Sequence, residues 1–405
     1  MTPGQVLTAL LDEGLKAADP APHVARFLPK PPKGRTLVVG AGKASASMAQ
    51  AVEVAWPVDA LLSGLVVTRH GYGLPLKHID CLLAAHPVPD SAALQAAQSM
   101  LARVQGVSKD DLVLALMSGG GSALLTLPAN GVTLEEKRRI TKALLRSGAS
   151  ITDINTVRKH LSAIKGGRLA KASYPARLVT LAVSDVAGDD PAVIASGPTV
   201  GDSTTIEDAR SVLAAYGISP PPVWSESVKP DDPSLASTDY RMILRPADML
   251  AAVAAKARAL GLGVIDLRDQ ISGEARDVAG LHAAMACSAK PGTLILSGGE
   301  LTVTIKGDGQ GGPNGEYLLA LAIALEGAEN IFAAAIDTDG IDGVEENAGA
   351  RIGPDTLRRA NAAGCDALCH LAANDSYGFF QKLGDLIVTG PTRTNLNDLR
   401  LILVL

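Results

Sequence analysis

The stretch that most constrains this chain runs from Leu112 to Leu125, LVLALMSGGGSALL, where six apolar residues run into three glycines set between two serines. An uninterrupted apolar run of that length, bounded by turn residues, reads as a strand buried on both faces, the habit of a parallel sheet. Ser118, Gly119, Gly120, Gly121 and Ser122 then allow a tight turn with few Cβ atoms in the way, and from Ala123 the sequence is compatible with a helix start. Strand, glycine turn and helix in that order aim backbone N–H groups and the positive end of a helix dipole at one spot, where an anion can sit. The same five residues also make a plain tight turn, and the stretch alone leaves both readings open.

A second unit of the same kind lies earlier. Thr36 to Val39 reads as a short strand, Gly40-Ala41-Gly42-Lys43-Ala44-Ser45 as its turn, and residues 44–55 as the helix that follows. This is only part of a dinucleotide fingerprint, because Ser45 stands at the third glycine position and no decisive acidic residue follows at the ribose-binding distance. It is not a Walker A loop either, since its first glycine lies too close to Lys43. A lysine at a helix N-terminus faces the positive end of the dipole, which is unfavourable unless an anion shares the place. Lys43 therefore points to phosphate handling, with a solvent-facing lysine that bends away as the other reading.

At 405 residues the chain exceeds what one hydrophobic core usually serves, so two domains are expected. Aromatic residues make up 3% and the net charge is −5, which excludes a general nucleic-acid binder or a partner of acidic membranes. Cys81, Cys287, Cys365 and Cys369 are too scattered for a disulfide framework, and Cys365, Cys369 and His370 match no zinc pattern. The first twenty residues form an amphipathic helical pattern instead of a leader, and no apolar run is long enough to span a bilayer. A cytoplasmic protein is expected. Whether it is a monomer or a homodimer is not written in the sequence.

Further along, Leu134 to Arg146 reads as a charged helix. Asn155 to Ala170, NTVRKHLSAIKGGRLA, continues in a helical pattern that puts Arg158 and Lys165 two turns apart on one face. Such a face suits capture of a carboxylate or phosphate, or is simply solvated. Arg177 to Val183 is an apolar strand, and SDVAGDDP follows it. Asp185, Asp189 and Asp190 are hard oxygen ligands of the type magnesium takes together with phosphates. Residues 216–240, rich in proline, serine and aspartate, mark the expected domain boundary. Beyond them, Ser297-Gly298-Gly299-Glu300 partly echoes the first glycine turn, with Leu301 to Ile305 reading as a strand. Pro313-Asn314-Gly315-Glu316 opens an apolar helix. The strand Phe332 to Ile336 ends in Asp337, Asp339 and Asp342, candidates for magnesium, ribose or substrate hydroxyls.

Taken together, the loops resemble the class II glycerate 2-kinase family, whose C-terminal part is called MOFRL. The segments that carry the resemblance are GAGKAS (40–45), SGGGSALL (118–125), NTVRKHLSAIKGGRLA (155–170), SDVAGDDPAVIASGPT (184–199), SGGE (297–300), TDGIDG (338–343) and TNLND (394–398). They span nearly the whole chain. The resemblance implies an α/β protein: a larger Rossmann-like α/β/α domain at about 1–235, and a smaller α/β domain at 236–405 whose last strand is a candidate to return to the first. The active site is expected in the interdomain cleft. It implies ATP-dependent phosphorylation of D-glycerate at the 2-hydroxyl with magnesium, and no nucleic-acid or membrane partner.

Catalytic roles then fall to Lys43, Asp189 and Arg158, and metal binding to Asp185, Asp189 and Asp190. Nucleotide binding falls to Gly42, Ser118, Gly119, Gly120, Gly121, Ser122, Glu300, Asn314, Asp339 and Asp342. One departure stands out: an arginine often found in the family's GG-x-N motif is Pro313 here, which makes Arg351 and Arg393 candidate substitutes. Similar proteins also carry the label hydroxypyruvate reductase, so NAD(P)H-dependent reduction is the alternative activity.

Overall fold

The chain opens with α1 (Pro3–Ala17), started by a capping box in which the Thr2 and Gln5 side chains each bond the other's backbone N–H. In the computed structural model, which describes residues 1–405, two units separate: Pro20–Leu244, and Met1–Asp19 together with Arg245–Leu405. The first is built on six parallel strands, β1 (Thr36–Ala41), β2 (Leu62–Arg69), β3 (Ile79–Ala84), β4 (Leu112–Met117), β5 (Arg177–Val183) and β6 (Thr238–Leu244). Their order is β3-β2-β1-β4-β5-β6. Every residue of β1 and β4 is buried, as expected of continuous apolar runs inside a parallel sheet.

The strand order reverses between β1 and β4, the place where open α/β sheets bind ligands beyond the carboxyl ends of their strands. Ala41 of β1 pairs with Met117 of β4, so the GAGKAS and SGGGS turns leave the sheet side by side.

The helices of this unit are α2 (Ala21–Phe27), α3 (Ser45–Ala55), α4 (Ser91–Val104), the single turn α5 (Gly121–Leu124), α6 (Leu134–Arg146), α7 (Ile151–His160), α8 (Arg168–Ser173) and α9 (Ile206–Ala215). α6 shows why they form. Thr133 Oγ1 accepts the N–H of Glu136 at 3.0 Å, Glu135 and Glu136 occupy the first turn, and Arg146 the last. Its buried face is Lys137, Ile140 and Leu144, spaced i, i+3, i+7. The basic stretch 155–170 is not one helix. α7 stops at His160, and Gly166 and Gly167, at φ 56° and 77°, take left-handed conformations that turn the chain before α8.

The other unit carries α10 (Pro246–Ala259), α11 (Ala275–Ser288), α12 (Pro313–Leu325), α13 (Thr356–Ala362), α14 (Ala367–Ala372) and α15 (Ser376–Leu383). Its strands are β7 (Gly263–Asp266), β8 (Gly273–Glu274), β9 (Thr293–Ser297), β10 (Leu301–Thr302), β11 (Ile331–Asp337), β12 (Gly349–Ile352), β13 (Leu386–Ile387) and β14 (Asp398–Val404). Six of them form a mixed sheet in the order β13-β12-β11-β14-β9-β7, and β8 and β10 pair apart from it. α12 is buried on nearly all sides, which is why its apolar residues show no solvent face.

Three expectations are corrected here. The boundary falls at residue 244 and not 235, because β6 completes the parallel sheet beside β5. The final strand β14 does not return to the first sheet; it pairs antiparallel with β11 and β9. What crosses over is α1, which joins the C-terminal unit because Gly14 lets it lie directly on Leu399 and Val253, where a Cβ would overlap Leu399. The expected strand 301–305 shrinks to the two residues of β10.

Candidate active site

In the Pro20–Leu244 unit, the GAGKAS and SGGGS turns interlock. Lys43 N donates to Gly119 O at 2.8 Å, Ala44 N to Ser118 Oγ at 3.0 Å, Ser45 N to Gly42 O at 3.2 Å, and Gly42 N to Val67 O at 3.2 Å. Gly42 has φ 138° and no room for a Cβ against Ser118, so only glycine fits there. The buried Ser45 hydroxyl donates to Gly42 O and Val67 O, both at 2.8 Å. These bonds occupy the backbone donors that a dinucleotide fingerprint keeps free for a pyrophosphate.

The SGGGS turn is also less open than its sequence suggests. Ser118 N donates to Ala41 O, Gly121 N to Ser118 O, and Ala123 N and Leu124 N to Gly120 O, while the N–H of Gly120 bonds the Asp185 carboxyl group. Gly119 and Ser122 keep the only amides of the turn without a protein acceptor. The helix behind the turn, α5, has a single turn, so its dipole adds little. The turn is therefore left with two amides for an anion and little help from a helix end.

Side chains complete the place. Lys43 is buried, and its stem lies beside Gly120 together with the His86 ring; a Cβ on Gly120 would sit 3.1 Å from His86 Nε2 and 3.3 Å from Lys43 Cγ. Asp185 follows β5. Desolvation raises its carboxyl pKa, and the Lys43 charge and the Gly120 N–H act against that rise. Tyr240, on β6, has a buried hydroxyl whose pKa is pushed up by burial and then by Asp190, Asp185 and Asp189, so all three aspartates bear on one point.

They do not form a metal cage, however: the chain contains no group of three or more His, Cys, Asp or Glu side chains placed to hold a metal ion. Asp190 is exposed, and its Oδ1 accepts from Ala192 N at 2.9 Å within its own turn. Asp189 takes a left-handed φ of 55°. That arrangement rules out an all-protein site but suits magnesium, which shares one or two carboxylates with substrate phosphates.

A hydrogen-bonded chain leads away from the SGGGS turn: Ser122 Oγ to Ser196 Oγ at 2.8 Å, and Ser196 Oγ to Asn155 Oδ1 at 2.9 Å. One turn beyond Asn155 on α7 stands Arg158, half-buried, with no hydrogen bond or ion pair to a protein acceptor. Around it lie two more cations, Lys165, which the sequence marked, and Lys137, which it did not. Lys137 is 5% exposed with its Nζ unpartnered, and Lys165 is wholly buried, its Nζ donating to Leu125 O at 2.7 Å and Ala195 O at 3.4 Å. Lys137 stands on the apolar stripe of α6, and a lysine in step with Ile140 and Leu144 was the available signal.

In the C-terminal unit, two of the expected nucleotide-binding residues, Asn314 and Asp342, bond each other. Asp342 accepts from Asn314 N at 2.9 Å and Gly315 N at 2.7 Å, capping α12. Asn314 Nδ2 donates to Asp398 Oδ1 at 2.7 Å, and Asp398 Oδ2 accepts from Arg400 Nη1 at 2.6 Å. Asp339 is buried and accepts from Ile341 N at 2.8 Å, while Glu300 is exposed in the turn between β9 and β10. Arg351 lies on β12 near Asp385. Arg400, wholly buried in the final strand, is linked to the Pro313 turn through Asp398 and Asn314 and also donates to Gly298 O at 2.6 Å.

Comparison with known proteins adds to this geometry. A model described as a domain of unknown function (DUF4147) matches residues 6–228, and the MOFRL family model matches residues 293–398. A D-glycerate 2-kinase of Thermotoga maritima is 39% identical over 96% of this chain and 95% of its own length. The chain belongs to the MOFRL-type glycerate 2-kinase family. Among other members of the family, a crystal structure of glycerate kinase from Thermotoga maritima superposes with a TM-score of 0.88 at 37% identity, covering 99% of both chains. A relative from Agrobacterium vitis, 51% identical over 99% of this chain and 94% of its own, bears the name "Putative hydroxypyruvate reductase". Family names thus point to two chemistries. No helix of the chain is long and apolar enough to cross a membrane.

Proposed function

We propose that the protein transfers the terminal phosphoryl group of ATP to the 2-hydroxyl of D-glycerate, giving 2-phosphoglycerate and ADP. The observation that carries this reading is the interlock at the β1/β4 switch point. The first-turn amides are spent on the SGGGS turn, on the turn itself and on Val67, which removes the pyrophosphate cradle of a nicotinamide enzyme, while Lys43 is held beside Asp185 and Gly120. Phosphoryl transfer asks mainly for positioning and for positive charge near the moving group.

Lys43 supplies that charge, and the Gly119 and Ser122 amides hold phosphate oxygens beside it. Asp185 and Asp189 are the residues suited to hold magnesium jointly with the nucleotide phosphates, where the ion would neutralise their charge. Asp342 and Asn314, whose polar groups cap α12 and bond Asp398, are left out of this scheme.

The test mixes purified protein with D-glycerate and Mg·ATP and follows both products, beside a parallel mixture of hydroxypyruvate with NADH or NADPH. ADP and 2-phosphoglycerate are expected in the first and no reductant loss in the second. Reductant loss without ATP-dependent product would replace this function with the reductase.

A further inference from the structure

Beside the SGGGS turn, the Pro20–Leu244 unit carries Lys137, Arg158 and Lys165 without an ion-pair partner, while Asp202 and Glu226 bear on the neighbouring Arg168. Lys137 projects from the apolar stripe of α6, and its Nζ finds neither a hydrogen-bond acceptor nor a carboxylate. Lys165 ends against two carbonyl oxygens, and Arg168 donates to Lys159 O, Lys165 O, Ser225 O and Ser225 Oγ. Arg158 stands among them, half-buried and unpaired.

Nearby carboxylates are already taken. Asp202 pairs with Lys159 at 2.6 Å and with the Thr204 hydroxyl, and Glu226 pairs with Lys229 and His160. An ammonium group removed from water without a partner costs several kcal/mol, so a chain that keeps one beside two further cations has a use for it. The repulsion among them is visible in their proton affinities: burial, then Arg158 and Arg168, lower Lys137 to about 7, and burial, then Lys137 and Arg158, lower Lys165 well below its ordinary value.

We infer that Lys137, Arg158 and Lys165 form the subsite for the carboxylate of the acceptor acid, with Lys137 and Arg158 contacting it directly. This rests on the kinase reading above, in which two anions must be held at once. The nucleotide phosphates fall to Lys43, the free amides and the aspartates, which leaves the acceptor's single charge for the second group of cations. Arg158 offers the planar fork that matches a carboxylate, at the half-exposed edge of the cluster, and Lys137 supplies a point charge behind it. The Ser122–Ser196–Asn155 chain joins this subsite to the turn that holds phosphate.

The test is the Lys137→Met variant, which keeps length and apolarity and should fold at least as well as the parent. KM for D-glycerate should rise about 30-fold, the loss of one charge-assisted hydrogen bond, with KM for ATP within twofold. Glyceramide, which lacks the carboxylate, should be a poor substrate of the parent and change little in the variant. A rise in KM for ATP instead would assign the cluster to nucleotide phosphate, and two unchanged constants would remove it from the site; either overturns the inference while the kinase stands. If the parent makes no 2-phosphoglycerate, the kinase reading fails. The carboxylate subsite then survives only if D-glycerate alone raises the melting temperature of the parent and not of Lys137→Met.

Discussion

The two units bury charge in opposite ways. In the C-terminal unit, Asp342, Asp398 and Arg400 are closed off from water, yet each has bonds inside the protein: two helix-start amides for Asp342, Asn314 and Arg400 for Asp398, and two carbonyls in addition for Arg400. In the Pro20–Leu244 unit, Lys137 and Arg158 have none. Charge satisfied from within is architecture, because removing one partner mainly costs stability. Charge left over within a folded unit points outward, to a ligand that completes it. The residues the family resemblance marked for nucleotide binding around Asn314 fall on the first side of this division, and Lys137, which no motif in the sequence marked, falls on the second.

Substitutions separate the two kinds of buried charge. The largest effect is expected at Lys43: Lys43→Ala should lower turnover by about a thousandfold, as losing a charge matched to the transition state does, while circular dichroism and melting temperature stay near those of the parent. Unchanged turnover would remove Lys43 from the chemistry.

Next comes the stability of Lys137→Met without ligands. The folded amine titrates near 7 and the unfolded one near 10.5, so the unfolded chain binds more protons between those values. The penalty is greatest at and below pH 7 and fades as pH rises towards 10.5. Chemical denaturation at pH 7 should therefore show the variant more stable by on the order of 3 kcal/mol, a gain that shrinks by pH 9. A variant less stable at both pH values would mean that the ammonium is satisfied after all.

Smaller, and opposite in sign, is Asp342→Ala. Stripping the α12 cap leaves two buried amides without an acceptor and should cost about 2 kcal/mol by chemical denaturation at pH 4, where the carboxyl is protonated in both states. Burial raises this carboxyl to about 7 against 3.8 in the unfolded chain. Its favourable contribution is thus full below about 4 and is lost as pH rises to 7. Asp342→Asn, which cannot titrate, should flatten that part of the parent's stability profile; a slope kept in the variant would place its origin elsewhere.

Much of the frame is legible in the sequence. Runs such as LVVGA and LVLALM state their own burial, and α6 begins and ends where its threonine cap and charge pattern put it. The adjacency of the two glycine turns was not, because strand order depends on pairings between residues far apart in sequence. Nor was the placement of α1, which depends on Gly14 meeting Leu399 nearly four hundred residues later. At the site, glycine turns advertise themselves, but whether their amides are free is decided by neighbours such as Ser118. Basic residues mislead in the other direction: Lys137 looks like one more solvated charge in LEEKRRITKALLR until its register with Ile140 and Leu144 is traced. Arg400, in the middle of LRLILVL, is hidden by the same habit of assigning charge to the surface.

The most direct test of unbalanced charge as a ligand site is calorimetric titration of the parent with D-glycerate at pH 8, repeated in buffers of different ionisation enthalpy. A carboxylate arriving beside Lys137, with Arg158, Arg168 and Lys165 around it, should raise the proton affinity of the amine, so binding should draw protons from the buffer and its apparent enthalpy should follow the buffer. In Lys137→Met that dependence should be lost. Binding by the parent with no dependence on the buffer, or with the same dependence in the variant, would contradict the assignment of these cations to the acceptor.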